Sequence, residues 1–250
     1  MALLLGHYRE MSLAIVIPAY NEAATIRGVA ERALLQAARV IVVDDGSKDG
    51  TAAELEGLPV TLIRNPRNLG KAASLWRGMA LALAEDAGAV LTLDADGQHR
   101  PEDIPRLLEA HRADPDALVV GARLHQGASF PAERYYANRF ANFWIAWAAG
   151  QRVQDSQSGF RVYPAPLLRA LPPRVGRAAG FVFESEVLIE AGRRGTRLAW
   201  VPIPAIYEPR ARPSHFRPVA DVALITCMVA WKLVSRGLYL RGLLRSLRGA

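Results

Sequence analysis

The chain has 250 residues and a single cysteine, Cys227. One thiol excludes an intrachain disulfide and a cysteine-cluster zinc site, and it fits a reducing compartment. Set in an apolar stretch, Cys227 reads as a small buried hydrophobe. Nowhere do the roughly 18 apolar residues of a membrane-spanning helix run without a break. The longest stretch, Val219 to Leu240, is broken by Asp221, Lys232 and Arg236. Met1 to Met11 carries a short apolar patch with no basic region before it, which is not a signal-peptide pattern. Internal repeats and low-complexity tracts are missing too. So are acids after Asp221, while Lys232, Arg236, Arg241, Arg245 and Arg248 follow. The expectation is a cytoplasmic chain without a spanning helix. The excess of positive charge, +7 overall, attracts nucleic acid, anionic lipid or phosphorylated substrates, and charge alone does not choose among them.

Hydrophobic residues make up 51% and charged ones 22%, enough for a sizeable core in one domain with a small appendage. Apolar runs and helix-favouring runs alternate through the first half. Strands are expected at Leu13–Ile17 (ended by Pro18), Val40–Val43, Val60–Ile63, Val90–Leu93 and Leu118–Val120. Helices are expected at Glu22–Ala38, Asp49–Leu55 and Lys71–Glu85, and from Pro101, a residue suited to a first helical position. Such alternation means βαβ units and a largely parallel sheet covered on both faces. Further on, Ala132–Ala149 is helical and aromatic-rich, Gln151–Pro166 a loop with one short strand, and Glu184–Arg194 a helix. Leu198–Tyr207 is extended, and Pro218–Arg236 an amphipathic helix. Residues 1–217 are expected to form the main α/β domain, and 218–250 a basic amphipathic helix and tail. That tail either packs on the domain or anchors it to an anionic membrane surface.

Three motifs carry chemistry. Pro18-Ala19-Tyr20-Asn21-Glu22 follows the first strand; it is either a connection whose Asn21 caps a helix or a seat for a base and ribose. Asp44-Asp45-Gly46-Ser47-Lys48-Asp49-Gly50-Thr51 ends the second strand with adjacent acids, costly to bury unless a ligand donates to them. Asp94-Ala95-Asp96-Gly97-Gln98-His99 ends the fourth. Asp94 and Asp96 project the same way from an extended segment, at the strand ends where open α/β sheets bind ligands. Hard oxygen donors so placed suit Mg²⁺ or Mn²⁺ shared with a diphosphate. His99 by itself is more often a structural histidine than a ligand.

In this order the motifs resemble the family 2 glycosyltransferases of the GT-A fold, over about Leu13 to Arg123. Gly121-Ala122-Arg123, Asp155-Ser156-Gln157-Ser158-Gly159-Phe160-Arg161, Phe183-Glu184-Ser185-Glu186 and Tyr207 to Phe216 are similar to the dolichyl/polyprenyl-phosphate mannosyl- and glucosyltransferase branch. The resemblance implies an α/β GT-A domain using a nucleotide-diphosphate sugar donor, a lipid-phosphate acceptor and Mg²⁺ or Mn²⁺ at the cytoplasmic membrane face. By it, Pro18, Tyr20, Glu22, Val43 and Asp45 would hold the nucleoside. Asp94 and Ala95 would lie against ribose and diphosphate. Asp96 and Gln98 would ligate the metal, and Arg123 would meet a phosphate of donor or acceptor. Arg210, or Arg212 in its place, and the residue after Ser214 would clamp the diphosphate. That last residue is usually lysine in the family and is His215 here, a pH-dependent clamp. Inversion by single displacement is likewise implied.

Glu184 and Glu186 are candidate bases if the acceptor is a hydroxyl, or else a solvated helix start favoured by the dipole. Other readings stand beside this one: a family 2 enzyme with a hydroxyl acceptor, and a non-enzymatic module binding membrane through the basic tail. Nothing here resembles a nucleic-acid-binding motif. A nucleotidyltransferase would want a glycine-rich basic loop where Pro18–Glu22 stands.

Overall fold

Every residue of Val40–Asp44 and of Ala89–Thr92 is buried. Strands apolar on both faces need cover on both, the condition of parallel sheets lined by helices. The computed structural model describes residues 12–123, 132–171, 180–204 and 218–248. Its strands are β1 (Leu13–Ala19), β2 (Val40–Asp44), β3 (Thr61–Arg64), β4 (Ala89–Thr92), β5 (Leu118–Arg123), β6 (Arg161–Pro164) and β7 (Leu198–Ile203). They form one sheet in the order β3-β2-β1-β4-β6-β5-β7. All pairings are parallel except those of β6, which runs antiparallel between β4 and β5.

Alternate side chains feed two cores. One face presents Ile15, Ile17, Val40, Val42 and Val119 to helices α1 (Ile26–Leu34) and, after α2 (Lys71–Ala84), α3 (Ile104–Ala113). The other presents Val16, Ile41, Val43, Val90 and Val120 to α2, α4 (Ala132–Ala149) and, beyond the short α5 (Ala165–Ala170), α6 (Gly180–Arg193) and α7 (Pro218–Val234). A last helix, α8 (Leu240–Arg248), packs against α4.

Several expectations are corrected. Pro18 does not end β1: it is buried in register with Val43. The last bond toward β4 runs from Leu93 N to Val16 O, so the proline lies beyond that ladder, where a missing N–H costs no bond. The first helix starts at Ile26 rather than Glu22, because Asn21 has a left-handed φ of 56°. Residues 49–55 hold one 3₁₀ turn, Ala53–Leu55. Cys227 is exposed, not buried. Of the two readings of residues 218–250, packing on the domain holds for part of α7, whose Ile225, Val229 and Leu233 lie in the same core as the sheet.

Candidate active site

The turns after β1 and β2 are laced together by short polar side chains. Ser47 Oγ accepts from Asn21 N at 2.8 Å, Thr51 Oγ1 from Glu22 N at 2.8 Å, and Asp49 Oδ2 from Ala23 N at 3.1 Å. In return Asn21 Oδ1 accepts from Lys48 N at 2.9 Å. These contacts satisfy backbone N–H groups leading into α1 that no helix-capping side chain serves. Asn21 is therefore a lacing residue and not the cap. Tyr20 and Glu22 are held half-exposed beside this double turn, while Pro18 and Val43 lie buried under it. Gly46 is required at the turn: its φ is 74°, and a Cβ there would sit 2.6 Å from the carbonyl carbon of Arg67.

Asp44 and Asp45 find their donors inside the chain. Asp44 accepts from Ser47 N at 2.8 Å and from Arg64 Nε at 3.0 Å. Asp45, 3% exposed, accepts from Asn65 Nδ2 at 2.7 Å, Leu69 N at 2.9 Å and Gly70 N at 2.8 Å. Three of its roughly four lone-pair positions are thus taken. The side chain of Asp45, expected to hold the nucleoside, also shapes the Asn65–Gly70 turn, because a buried acid needs donors and the backbone supplies two of them here.

That turn delivers Lys71, which the motif reading passed over. Its Nζ lies 2.6 Å from Asp94 Oδ1 and 2.9 Å from Glu184 Oε1. Lys71 is the first residue of α2, at the positive end of the helix dipole, where a cation is disfavoured unless anions surround it. That misplacement was the available signal. Burial disfavours the Lys71 charge, but the two carboxylates outweigh it and hold the ammonium protonated well beyond the ordinary lysine range. Burial likewise opposes ionisation of Asp94; Lys71, then His99, overcomes it and brings the carboxyl down to about 2. Gly159 leaves room for this group, for a Cβ there would lie 2.8 Å from Asp94 Oδ2.

Asp96 and Gln98 stand at the outer side of the same turn, both half-exposed, with Gln98 N donating to Asp96 Oδ1 at 2.9 Å. Burial raises the Asp96 pKa, and the neighbouring Asp94 charge raises it further. Ala95 between them is buried. No cluster of three acidic, histidine or cysteine ligands occurs among the described residues. The pair Asp96 and Gln98 fits a hard divalent ion that completes its shell with substrate phosphate and water. It does not fit a protein-caged ion.

Arg123, at the end of β5, is held two-pronged by Asp155: Nε to Oδ2 at 2.8 Å and Nη2 to Oδ1 at 3.1 Å. Behind it, wholly buried Arg161 donates to Ser158 O at 2.7 Å, Glu184 O at 2.7 Å and Ser156 O at 3.0 Å. Glu184 therefore reaches the Asp94 cluster. Glu186, expected as a candidate base, meets Lys232 of α7 at 3.1 Å, because positions two apart on α6 differ by about 200° and face different sides. Arg210, Arg212 and His215 lie outside the described residues.

His99 is 3% exposed, lies tilted against Phe160 with ring centroids 5.4 Å apart, and has hydrogen-bond partners for neither ring nitrogen among the described residues. Burial, only partly offset by Asp94, lowers its pKa to about 4. The unfolded chain takes up this proton near pH 6.5 and the folded chain only near 4. Acidification between those values therefore favours unfolding, by up to roughly 3 kcal/mol. His99→Gln is expected to flatten the fall in thermal stability between pH 6.5 and 4, measured by melting across that range. An unchanged slope would assign it to other groups.

Residues 14–170 match the family model described as glycosyl transferase family 2. The UDP-N-acetylglucosamine–dolichyl-phosphate N-acetylglucosaminyltransferase of Methanococcus voltae is 32% identical over 216 residues, 77% of this chain and 85% of that protein. The undecaprenyl-phosphate mannosyltransferase of Micrococcus luteus is 27% identical over 237 residues, 90% and 96% of the two chains. Among solved structures, glucosyl-3-phosphoglycerate synthase from Mycobacterium tuberculosis in complex with Mn²⁺, uridine-diphosphate and phosphoglyceric acid superposes with a TM-score of 0.69. The identity is 22%, with 94% of this chain and 81% of that one covered, a likeness of fold.

Proposed function

This chain belongs to glycosyl transferase family 2 and has the GT-A fold, and from that premise we propose that it moves a hexose from a nucleotide-diphosphate sugar to a polyprenyl phosphate, with inversion. The observation that carries the reading is the strand-end cluster itself. Oxygen donors for a metal–diphosphate (Asp96, Gln98) stand beside an ion-paired Lys71–Asp94–Glu184 group and the fixed arginine Arg123. The relatives named above for dolichyl and undecaprenyl phosphates support the acceptor class.

Pro18, Tyr20 and Glu22 at the laced turn bound the nucleoside. Asp94, kept ionised by Lys71, accepts from ribose or sugar hydroxyls, and the Ala95 backbone lies against the diphosphate. Asp96 and Gln98 would hold Mg²⁺ or Mn²⁺. Bound there, the ion supplies neutralising charge to the departing diphosphate. Arg123, kept from turning by Asp155, meets phosphate with geometry already set. Arg210 and His215 are proposed to complete the clamp on the diphosphate. An acceptor phosphate oxygen forms the new bond to the anomeric carbon from the side opposite the donor. The bond from that carbon to the donor phosphate oxygen breaks, and the nucleoside diphosphate leaves with the electron pair. The acceptor phosphate is already ionised at neutral pH, so no strong base is required. Glu184 and Glu186 each face a lysine ammonium, Lys71 and Lys232 respectively.

The test is incubation of the protein with Mn²⁺, a panel of nucleotide sugars and polyprenyl phosphate, following sugar into the organic phase. Transfer from one donor is expected. Release of nucleotide without lipid labelling would overturn the acceptor, and absence of donor binding would overturn the transfer reading.

A further inference from the structure

The helix most strongly amphipathic in this protein points its apolar face away from it. In α8, Leu240, Leu244 and Leu247 are 62%, 54% and 66% exposed, and Gly242 alone is buried. At 100° per residue these leucines share one stripe with half-buried Leu243, and Arg241, Arg245 and Arg248 share the adjoining one. Gly242 faces the opposite way, against α4. A soluble surface helix would be turned the other way round.

The backbone holds α8 in this pose. The 3₁₀ turn Gly237–Tyr239 breaks the chain between α7 and α8, which are bent by 104°. Leu238 and Tyr239 take left-handed φ values of 64° and 44°. Such residues persist only where the surroundings enforce them. Here Trp147 Nε1 donates to Leu238 O at 2.9 Å, and Tyr239 fills a notch between two glycines. A Cβ on Gly242 would lie 2.1 Å from the Tyr239 ring, and one on Gly150 would lie 2.9 Å from its hydroxyl. Exposed Leu238 and Trp231, the latter at 71%, flank the elbow.

We propose that α8 is a docking surface for an anionic lipid bilayer, lying along it with its leucines among the acyl chains and its arginines at the headgroups. Two features select this occupant. Leucines recur along one side of the helix and arginines along the adjoining side, a pattern that lies on a membrane rather than crossing it. Three arginines and no acid border the apolar stripe, the complement of anionic headgroups. The proposal does not depend on the identity of the transferase acceptor.

Flotation of the full chain with vesicles of phosphatidylcholine and phosphatidylglycerol, free of polyprenyl phosphate and nucleotide sugar, tests it. Wild-type protein is expected to float, less so at high salt. Combined Leu240→Ser, Leu244→Ser and Leu247→Ser substitutions are expected to weaken binding roughly thirtyfold or more, with nucleotide binding and melting temperature unchanged. Arg241→Gln, Arg245→Gln and Arg248→Gln together should abolish the preference over pure phosphatidylcholine vesicles. Failure of wild-type protein to float, or leucine variants that float equally, would overturn the proposal. So would a solution dimer that fails to float and that the leucine substitutions dissociate, since the stripe would then belong to a second copy. Transfer activity on a short, water-soluble prenyl phosphate, measured separately, keeps this outcome distinct from that of the proposed reaction.

Discussion

Asp96→Asn is expected to lower sugar transfer by about a thousandfold or more, corresponding to roughly 4 kcal/mol of lost charge stabilisation. The amide keeps the size of the side chain and can still accept from Gln98 N. What it loses is the charge that would hold a divalent ion against the diphosphate. The neutral ligand Gln98 contributes less to cation binding, so Gln98→Ala is expected to cost a smaller factor. Without metal or donor, Asp96→Asn should leave the fold at least as stable as before. Burial and the Asp94 charge both disfavour ionised Asp96, and the substitution removes that conflict. Loss of function without loss of stability is the signature of a site rather than a structural residue. Calorimetry of nucleoside diphosphate with Mn²⁺ and thermal melting of the apoprotein read the two sides. Full transfer activity in Asp96→Asn at ordinary metal concentration would remove the metal from the proposed mechanism.

Arg161→Ala is the second large effect, and it falls on stability. Its guanidinium, with no exposed surface, serves three backbone carbonyls: Ser156, Ser158 and Glu184. Alanine strands all three in the interior and leaves a cavity. At about 1–3 kcal/mol per orphaned group, the loss is expected to reach roughly 4–6 kcal/mol. That is a large share of the 5–15 kcal/mol that about any domain has in hand. At around 2–4 °C per kcal/mol for a chain of this size, melting should fall by more than 10 °C. Arg161→Lys should recover only a part, since an ammonium lacks the planar fork that reaches three directions. The damage should extend to the site, because the Glu184 carbonyl bonds Arg161 while its carboxylate faces Lys71. A melting temperature within 3 °C of wild type in the alanine variant would show that these carbonyls find other partners.

The sheet was legible because its evidence is local. Buried β runs ended by acids and glycine at 40–46 and 89–97 mark strands and the edge where ligands bind, and all five expected strands of the first half are present within three residues at each boundary. β6 fits the one short strand expected within 151–166, but its exact residues and its antiparallel place between β4 and β5 were not legible, since both depend on partners far along the chain. In the site, Asp94 and Asp96 were marked by their spacing at a strand end, and Gln98 by the resemblance. Lys71 and Asp155 were not, because each earns its place from a partner 23 or more residues away.

The sequence alone determined the family resemblance, the parallel strands and the position of the acidic turns, all of which depend on residue type and short-range periodicity. Only the tertiary structure decided which acids are spent on the chain itself and which remain at the site. Asp45 turns inward onto the Asn65–Gly70 backbone, while Asp94 is shared with Lys71. It also decided that α7 is core and that α8 faces outward. The reason is the same in each case. The energy of a buried charge or an apolar stripe depends on what lies opposite, and that is brought there by chain folded from far along the sequence.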